Sequence, residues 1–239
     1  MVDAAIHKGC KYGLFRQRAH SNDEEKRQMA KGQMTEAPKA HYMERYAERD
    51  AQEIGARTGL RFDESEGLFA LSLVGTQYYV KHPVFEAPGL RPYEEILLLR
   101  YMLEGTFVPA SGGMLAYSEM PWGAVYQTQF QGRVLGRIAR EFGSDPSLLE
   151  RAVCGIPGLR RELIDGAYAA YRVEFLDGFF ISILVWMGDE EFPASSQLLF
   201  SDNFKYAFTA EDIAVIGDII IGRLKQSLKA QEASGGFPV

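Results

Sequence analysis

The sequence contains very little cysteine, and its two cysteines lie far apart. Cys10 and Cys154 belong to no Cys-x-x-Cys motif in a chain of 239 residues. We therefore expect neither the disulfide framework of a small secreted domain nor a zinc or iron–sulfur site made of cysteines alone. Two isolated thiols are typical of a reducing compartment, so the sequence predicts a cytoplasmic protein.

Long apolar segments and an excess of positive charge are missing as well. No hydrophobic run approaches the ~20 residues that a bilayer span requires. The first residues contain no apolar core of the kind found in secretory signal peptides. The formal net charge is −6, whereas proteins that bind nucleic acid or anionic membranes generally carry an excess of Lys and Arg. We expect neither partner.

The motifs of several enzyme classes are also absent. The sequence has no Walker loop, no Gly-x-Gly-x-x-Gly after a predicted strand, no Gly-x-Ser-x-Gly and no His-Glu-x-x-His. The four histidines are scattered over the first third of the chain, at His7, His20, His41 and His82. A histidine metal site would have to recruit the N-terminal segment, so we predict no histidine metal site and assign no metal ligand.

The residues that are present predict one α+β domain with extensions. Hydrophobic residues make up 46% of the chain, which is enough to form a substantial core. Residues 1–37 are polar and poor in apolar side chains, and we interpret them as a flexible, poorly ordered N-terminal extension. The domain is predicted over residues 38–229, and residues 230–239 are expected to fray.

Two β-hairpins define the predicted sheet. The first joins residues 68–74 to 77–81 through a type II′ turn at Gly75-Thr76, and the second joins 171–176 to 179–186 through Asp177-Gly178. Residues 197–200 add a further strand. Strands joined by tight turns favour a mainly antiparallel sheet with helices packed on it, and they disfavour a Rossmann fold.

Apolar residues at helical spacing predict the helices. They are expected at residues 42–58, 92–103, 129–142, 146–154 and 209–229. Pro92 with Glu94 and Glu95 is typical of a helix start. The following helix is apolar nearly all round, so we expect it to be central. Thr209 and Asp212 resemble a capping box at the start of the last helix.

The most informative stretch is Trp186-Met187-Gly188-Asp189-Glu190-Glu191-Phe192-Pro193. Its three carboxylates directly follow a predicted buried strand. Carboxylates in a cluster raise one another's pKa unless cations or donors offset the repulsion. Such a group is suited to hold Mg²⁺ or Ca²⁺, to bind an amine, or to act as an acid/base pair. The alternative is an acidic, solvated turn with Phe192 packed inward.

Three other places contain candidate binding residues. Glu119 and Trp122 lie beside proline and glycine and either line a pocket wall or form a loop packed by its aromatic residue. Gly112 and Gly113 are suited to bind an anion through backbone N–H groups. Arg100 interrupts the apolar helix and needs a partner, for which a carboxylate from one of these loops is the candidate.

Four blocks in this order resemble the family called domain of unknown function 3786, which occurs in bacteria and archaea. They are residues 93–103, residues 111–123, residues 186–202 and residues 211–217, and the resemblance extends from about residue 42 to about residue 228. It implies a protein of anaerobes. Some family members are fused to a four-cysteine iron–sulfur domain like those of corrinoid-protein partners. This chain has no such domain, and residues 1–37 are not part of the pattern.

Two functional hypotheses follow. The first is a non-catalytic accessory protein that binds a small molecule, a cofactor or an enzyme partner in anaerobic metabolism related to corrinoids or iron–sulfur proteins. The second is a carboxylate-dependent enzyme, with or without a divalent metal, that uses Asp189, Glu190 and Glu191 together with Glu119. Convergence of these acids in one cleft would favour the enzyme. The cofactor and the oligomeric state stay open.

Overall fold

A computed structural model describes residues 39–164, 167 and 169–233 of the chain. These residues form an α+β fold in which helices pack on an antiparallel sheet, as the sequence predicts. The predicted extension at residues 1–37 and the last residues, 234–239, lie outside the described part. Residues 230–233, where fraying is predicted, belong to the last helix.

Two helices replace the single N-terminal helix that the periodicity predicts. The described part of α1 covers residues 39–47, and α2 covers Ala51–Thr58. Asp50 separates them because its backbone is extended and its carboxylate accepts the N–H of Glu53 at 3.0 Å, which starts a new helix. Gly59 ends α2 in the left-handed conformation, as predicted.

The strands form a sheet that is antiparallel at every described pairing. They are β1 (Arg61–Asp63), β2 (Leu68–Leu73), β3 (Thr76–Lys81), β4 (Met114–Ala116), β5 (Arg160–Glu162), β6 (Ala169–Leu176), β7 (Phe179–Trp186) and β8 (Ser195–Ser201). The path through the sheet is β1-β2-β6-β7-β8-β4, with β3 also paired to β2 and β5 also paired to β6. The Asp177-Gly178 hairpin is confirmed, since Leu176 pairs with Phe179.

The first hairpin turns one residue earlier than predicted. Leu73 pairs with Thr76, so the two central turn residues are Val74 and Gly75, with φ of 48° and 71°. Positive φ at both positions is typical of a type I′ turn, and the predicted type II′ turn at Gly75-Thr76 is wrong. The side chain of Val74 is buried, and its N–H donates to the carbonyl of Phe175 at 2.9 Å, which holds this register.

The remaining helices cover the sheet and carry the site described below. They are α3 (Pro92–Glu104), α4 (Gly123–Phe130), α5 (Gly136–Phe142), α6 (Pro146–Cys154), α7 (Phe204–Ala207) and α8 (Ala210–Ala233). A 3₁₀ turn, Tyr117–Glu119, precedes α4, and a π-helical segment, Gln131–Leu135, joins α4 to α5. Helix α3 is central, as predicted, with Leu97, Leu98 and Leu99 buried. In the described part of the chain, no helix is both long and apolar enough to cross a membrane.

Candidate functional site

An open cleft of about 740 Å³ lies between α3, α4 with its π segment, and the first turns of α8. This volume lies within the range of small-molecule sites, which combine mainly apolar walls with a few polar groups. The residues that line it are Arg100, Tyr117, Trp122, Tyr126, Gln129, Phe130, Arg133, Thr209, Ala210, Glu211 and Ala214. We call it the aromatic cleft.

Two stacked rings form the buried side of the aromatic cleft. The rings of Tyr117 and Phe130 are nearly parallel, with centroids 3.9 Å apart, and both residues are almost fully buried. The hydroxyl of Tyr117 donates to the carbonyl of Ala210 at 3.2 Å. Burial raises the pKa of Tyr117, so it is a neutral phenol that ties the 3₁₀ turn to α8.

Two further aromatic residues are held open at the rim. Trp122 is 76% exposed and Tyr126 is 50% exposed. Trp122 has a positive φ of 65°, a conformation that costs a non-glycine residue about 1 kcal/mol or more and is concentrated at functional sites. The next residue, Gly123, packs so closely on the 3₁₀ turn that a Cβ there would collide with the carbonyl oxygen of Tyr117. This contact places Trp122 at the rim.

The helix that forms one wall of the cleft contains a second backbone irregularity. Its π segment, Gln131–Leu135, begins directly after Phe130 and includes Arg133, and both of these residues line the cleft. π-helical turns are rare, and they occur frequently at functional sites. The π segment and the left-handed Trp122 are therefore two irregularities of the backbone in the same wall of the cleft.

The charged groups of the cleft are already paired within the protein. Arg133 binds Asp218 through Nε at 2.9 Å and Nη2 at 2.6 Å, and Asp218 also accepts from Arg137. Arg100 lies 3.1 Å from Asp212 and 3.7 Å from Glu211. The predicted partner of Arg100, a carboxylate from one of the loops, is thus wrong, because the first turn of α8 packs against α3 and supplies both acids.

Asp212 also confirms the predicted capping box. Its carboxylate accepts the backbone N–H of Thr209 at 2.9 Å and the hydroxyl of Thr209 at 2.7 Å. Burial raises the pKa of Asp212, while the bonds from Thr209 and the charge of Arg100 oppose this rise. Asp212 therefore anchors α8 and Arg100 together at the edge of the cleft.

The acidic stretch lies outside the aromatic cleft. Asp189 accepts the backbone N–H groups of Glu191 at 2.8 Å and Phe192 at 2.7 Å, and these bonds lower the pKa of Asp189. The pKa of Asp189 is therefore lowered, not raised as expected for clustered carboxylates without donors, because the two backbone donors outweigh desolvation. Glu190 and Glu191 are exposed, and Phe192 is 66% exposed, so its predicted inward packing is wrong. Trp186 is half-buried at the end of β7.

The other predicted residues serve local structure. Glu119 accepts the N–H of Ala116 at 2.7 Å and so caps the 3₁₀ turn. The Ser111-Gly112-Gly113 segment does meet an anion, but this is the protein's own Asp202, which accepts the N–H of Ser111 at 3.0 Å. Within the described residues, no three His, Cys, Asp or Glu side chains are grouped so that they could hold a metal ion.

Of the nine predicted site residues, the cleft brings together Arg100 and Trp122. The sequence reasoning missed the other lining residues, above all Tyr117, Tyr126 and Arg133. The sequence of α4 contains one signal for part of the site, because the large apolar residues Val125 and Tyr126 follow Trp122 closely. The helix has no continuous buried face, so these side chains stay exposed.

Replacing Gly123 with Ala tests how the rim is built. The added methyl would collide with the carbonyl of Tyr117, so we expect the free energy of unfolding to fall by about 1–3 kcal/mol, as in other overpacked sites. Gly132→Ala is the matched control, because its Cβ would meet no atom within 4 Å and alanine is the better helix former. Urea denaturation measures both. A Gly123→Ala variant as stable as Gly132→Ala would contradict the described contact.

Comparison with known protein families assigns the chain to a family. The comparisons with curated proteins and with solved structures returned no match. The family model described as Domain of unknown function (DUF3786) matches residues 50–223, which include α3, α4 and all residues that line the aromatic cleft. The sequence-based resemblance is thereby confirmed: the chain belongs to the family of the domain of unknown function 3786.

Proposed function

We propose that this protein binds a planar, aromatic small molecule or cofactor in the aromatic cleft and does not transform it. The observation that carries the proposal is Trp122, which is exposed, has a left-handed backbone conformation and lines the same cleft as the buried Tyr117–Phe130 pair. Aromatic side chains that face an open cleft provide stacking surfaces for a flat ring. An exposed tryptophan at such a place has no role in the core.

A binding role suits the polar groups of the cleft better than catalysis. In the described part of the chain, its lining contains no histidine, cysteine, lysine or serine, which are frequent catalytic bases and nucleophiles. The arginines and Glu211 are engaged in ion pairs. Of the four acids in the enzyme hypothesis, Glu119 and Asp189 accept local backbone N–H groups. Glu190 and Glu191 are exposed, and none of the four lines this cleft. Flavins and haems, whose ring systems are flat and aromatic, fall within the proposed ligand class.

Titration of the protein with N-phenyl-1-naphthylamine, an uncharged aromatic dye that fluoresces in apolar sites, tests the proposal. We expect saturable binding to the wild-type chain and about tenfold weaker binding to Trp122→Ala, because a lost stacking partner of this size is worth about 1.4 kcal/mol. Phe192→Ala is the matched control, since it removes another exposed aromatic side chain, one outside the cleft.

The control separates the cleft from general surface hydrophobicity. We expect Phe192→Ala to bind the dye within about twofold of wild type. Absence of saturable binding to the wild type, or an equal loss in both variants, would refute the proposed function. A thermal-shift screen with flavins, haems and corrins then ranks the ring systems, because a ligand of the native state raises the melting temperature.

A further inference from the structure

Arg100 occupies the boundary between the aromatic cleft and a smaller recess. The recess has a volume of about 150 Å³ and includes Lys205 and Thr209 as further donors in its lining. Arg100 lines both spaces. Its side chain is 20% exposed, so it can be reached from the cleft.

The contacts of Arg100 are loose for a guanidinium. Its one described hydrogen bond goes to the hydroxyl of Thr209 at 3.4 Å, the ion pair with Asp212 is 3.1 Å long, and that with Glu211 is 3.7 Å long. A well-formed bidentate pair has two bonds of about 2.7–2.9 Å. Arg133, by comparison, donates two hydrogen bonds to one oxygen of Asp218, at 2.6 Å and 2.9 Å. Arg100 therefore retains capacity for a second anion.

Glu211 is the partner that such an anion can replace. Its side chain is 80% exposed, and an exposed ion pair of this length contributes little to stability. Asp212, in contrast, is nearly buried and bound to Thr209. Displacement of the Glu211 carboxylate returns it to water and leaves the contact between Arg100 and Asp212 intact.

From this geometry we infer that the aromatic ligand carries an acidic group, a carboxylate, sulfonate or phosphate, which binds Arg100 in the position now taken by Glu211. The ring packs against the exposed Trp122 and Tyr126 at the rim of the cleft, and Arg133, which is itself paired with Asp218, belongs to the same lining. The inference rests on the proposed function and names its ligand class.

Two dyes that differ only in an acidic group distinguish its contribution to binding from that of the ring system. We compare 1-anilinonaphthalene-8-sulfonate with N-phenyl-1-naphthylamine, which has the same ring system without the sulfonate, on the whole chain. Glu211→Gln is expected to bind the sulfonate about three- to tenfold more tightly, because one like charge close to the ligand is removed, and the uncharged dye within about twofold of wild type. Arg100→Lys keeps the charge but loses the planar fork, so it should bind the sulfonate about fivefold more weakly.

Glu190→Gln is the matched control, because it also removes one exposed negative charge but lies outside the cleft. Equal tightening in Glu190→Gln and Glu211→Gln, or equal effects on both dyes, would overturn the acidic-group inference and leave the aromatic binding site standing. Saturable binding of neither dye to wild type would overturn both this inference and the proposed function.

Discussion

Replacing Arg223 with Met is expected to lower the free energy of unfolding by about 3–5 kcal/mol, the usual cost of removing one partner of a buried ion pair. Glu94 is fully buried in the first turn of α3, and Nη2 of Arg223 lies 2.9 Å from its Oε1. Among the described residues, this oxygen has no hydrogen-bond donor, so the charge of Arg223 compensates it. Without Arg223, the carboxylate stays buried, and the described hydrogen bond that remains is the one from the N–H of Arg91 to its other oxygen.

Two comparisons test this prediction. Lys225→Met, two residues further along α8, removes a partly exposed ion pair with Glu141 and should cost less than about 1 kcal/mol. The double variant Glu94→Gln/Arg223→Met should recover part of the loss, because it leaves no buried charge. Urea denaturation gives the three values. An Arg223→Met variant as mild as Lys225→Met would show that Glu94 is not compensated by this arginine.

Local chemistry made much of the fold predictable. The Asp177-Gly178 turn, the proline at the start of α3 and the capping box of α8 each depend on a few neighbouring residues, and the structure confirms all three. The type of the first hairpin turn was wrong because tertiary contacts of Val74 decide it. The partner of Glu94 is 129 positions away along the chain (223 − 94), and no local pattern indicates it.

The cleft was less predictable than the fold because three distant segments build it. Arg100 comes from α3, the rings come from residues 117–130, and Glu211 comes from α8. Their proximity depends on how the helices pack over the sheet. The sequence did indicate that Arg100 needs an acidic partner, since a charge within an apolar helix must be compensated. The acidic turn drew attention instead, because three carboxylates are adjacent there, but Asp189 binds backbone N–H groups of its own turn and the other two are exposed.

The aromatic core beneath the cleft fixes the relative position of Arg100 and α8. Tyr101, the residue after Arg100, stacks on Phe208, the residue before Thr209, with centroids 5.3 Å apart and an angle of 22°. Phe179 of β7 packs edge-on against Tyr101 at 5.7 Å. A displaced Phe208 would therefore move Thr209 and the acids that face Arg100. The stacking of Tyr101 on Phe208 therefore determines the distance between Arg100 and the acids of α8.

Replacing Phe179 with Ala is accordingly expected to lower the free energy of unfolding by about 3–5 kcal/mol, because it opens a cavity at a fully buried phenylalanine. The ring contacts four other aromatic residues, namely Tyr101, Phe107, Phe204 and Phe208. Phe180→Ala is the control in the same strand, since its side chain is only partly buried, and we expect it to cost less than half as much. At temperatures where both variants remain folded, Phe179→Ala should also bind the sulfonate dye more weakly than Phe180→Ala. The reason is that the ring that packs against both Tyr101 and Phe208 is removed. Equal dye affinity in both variants would show that the cleft keeps its geometry without this core.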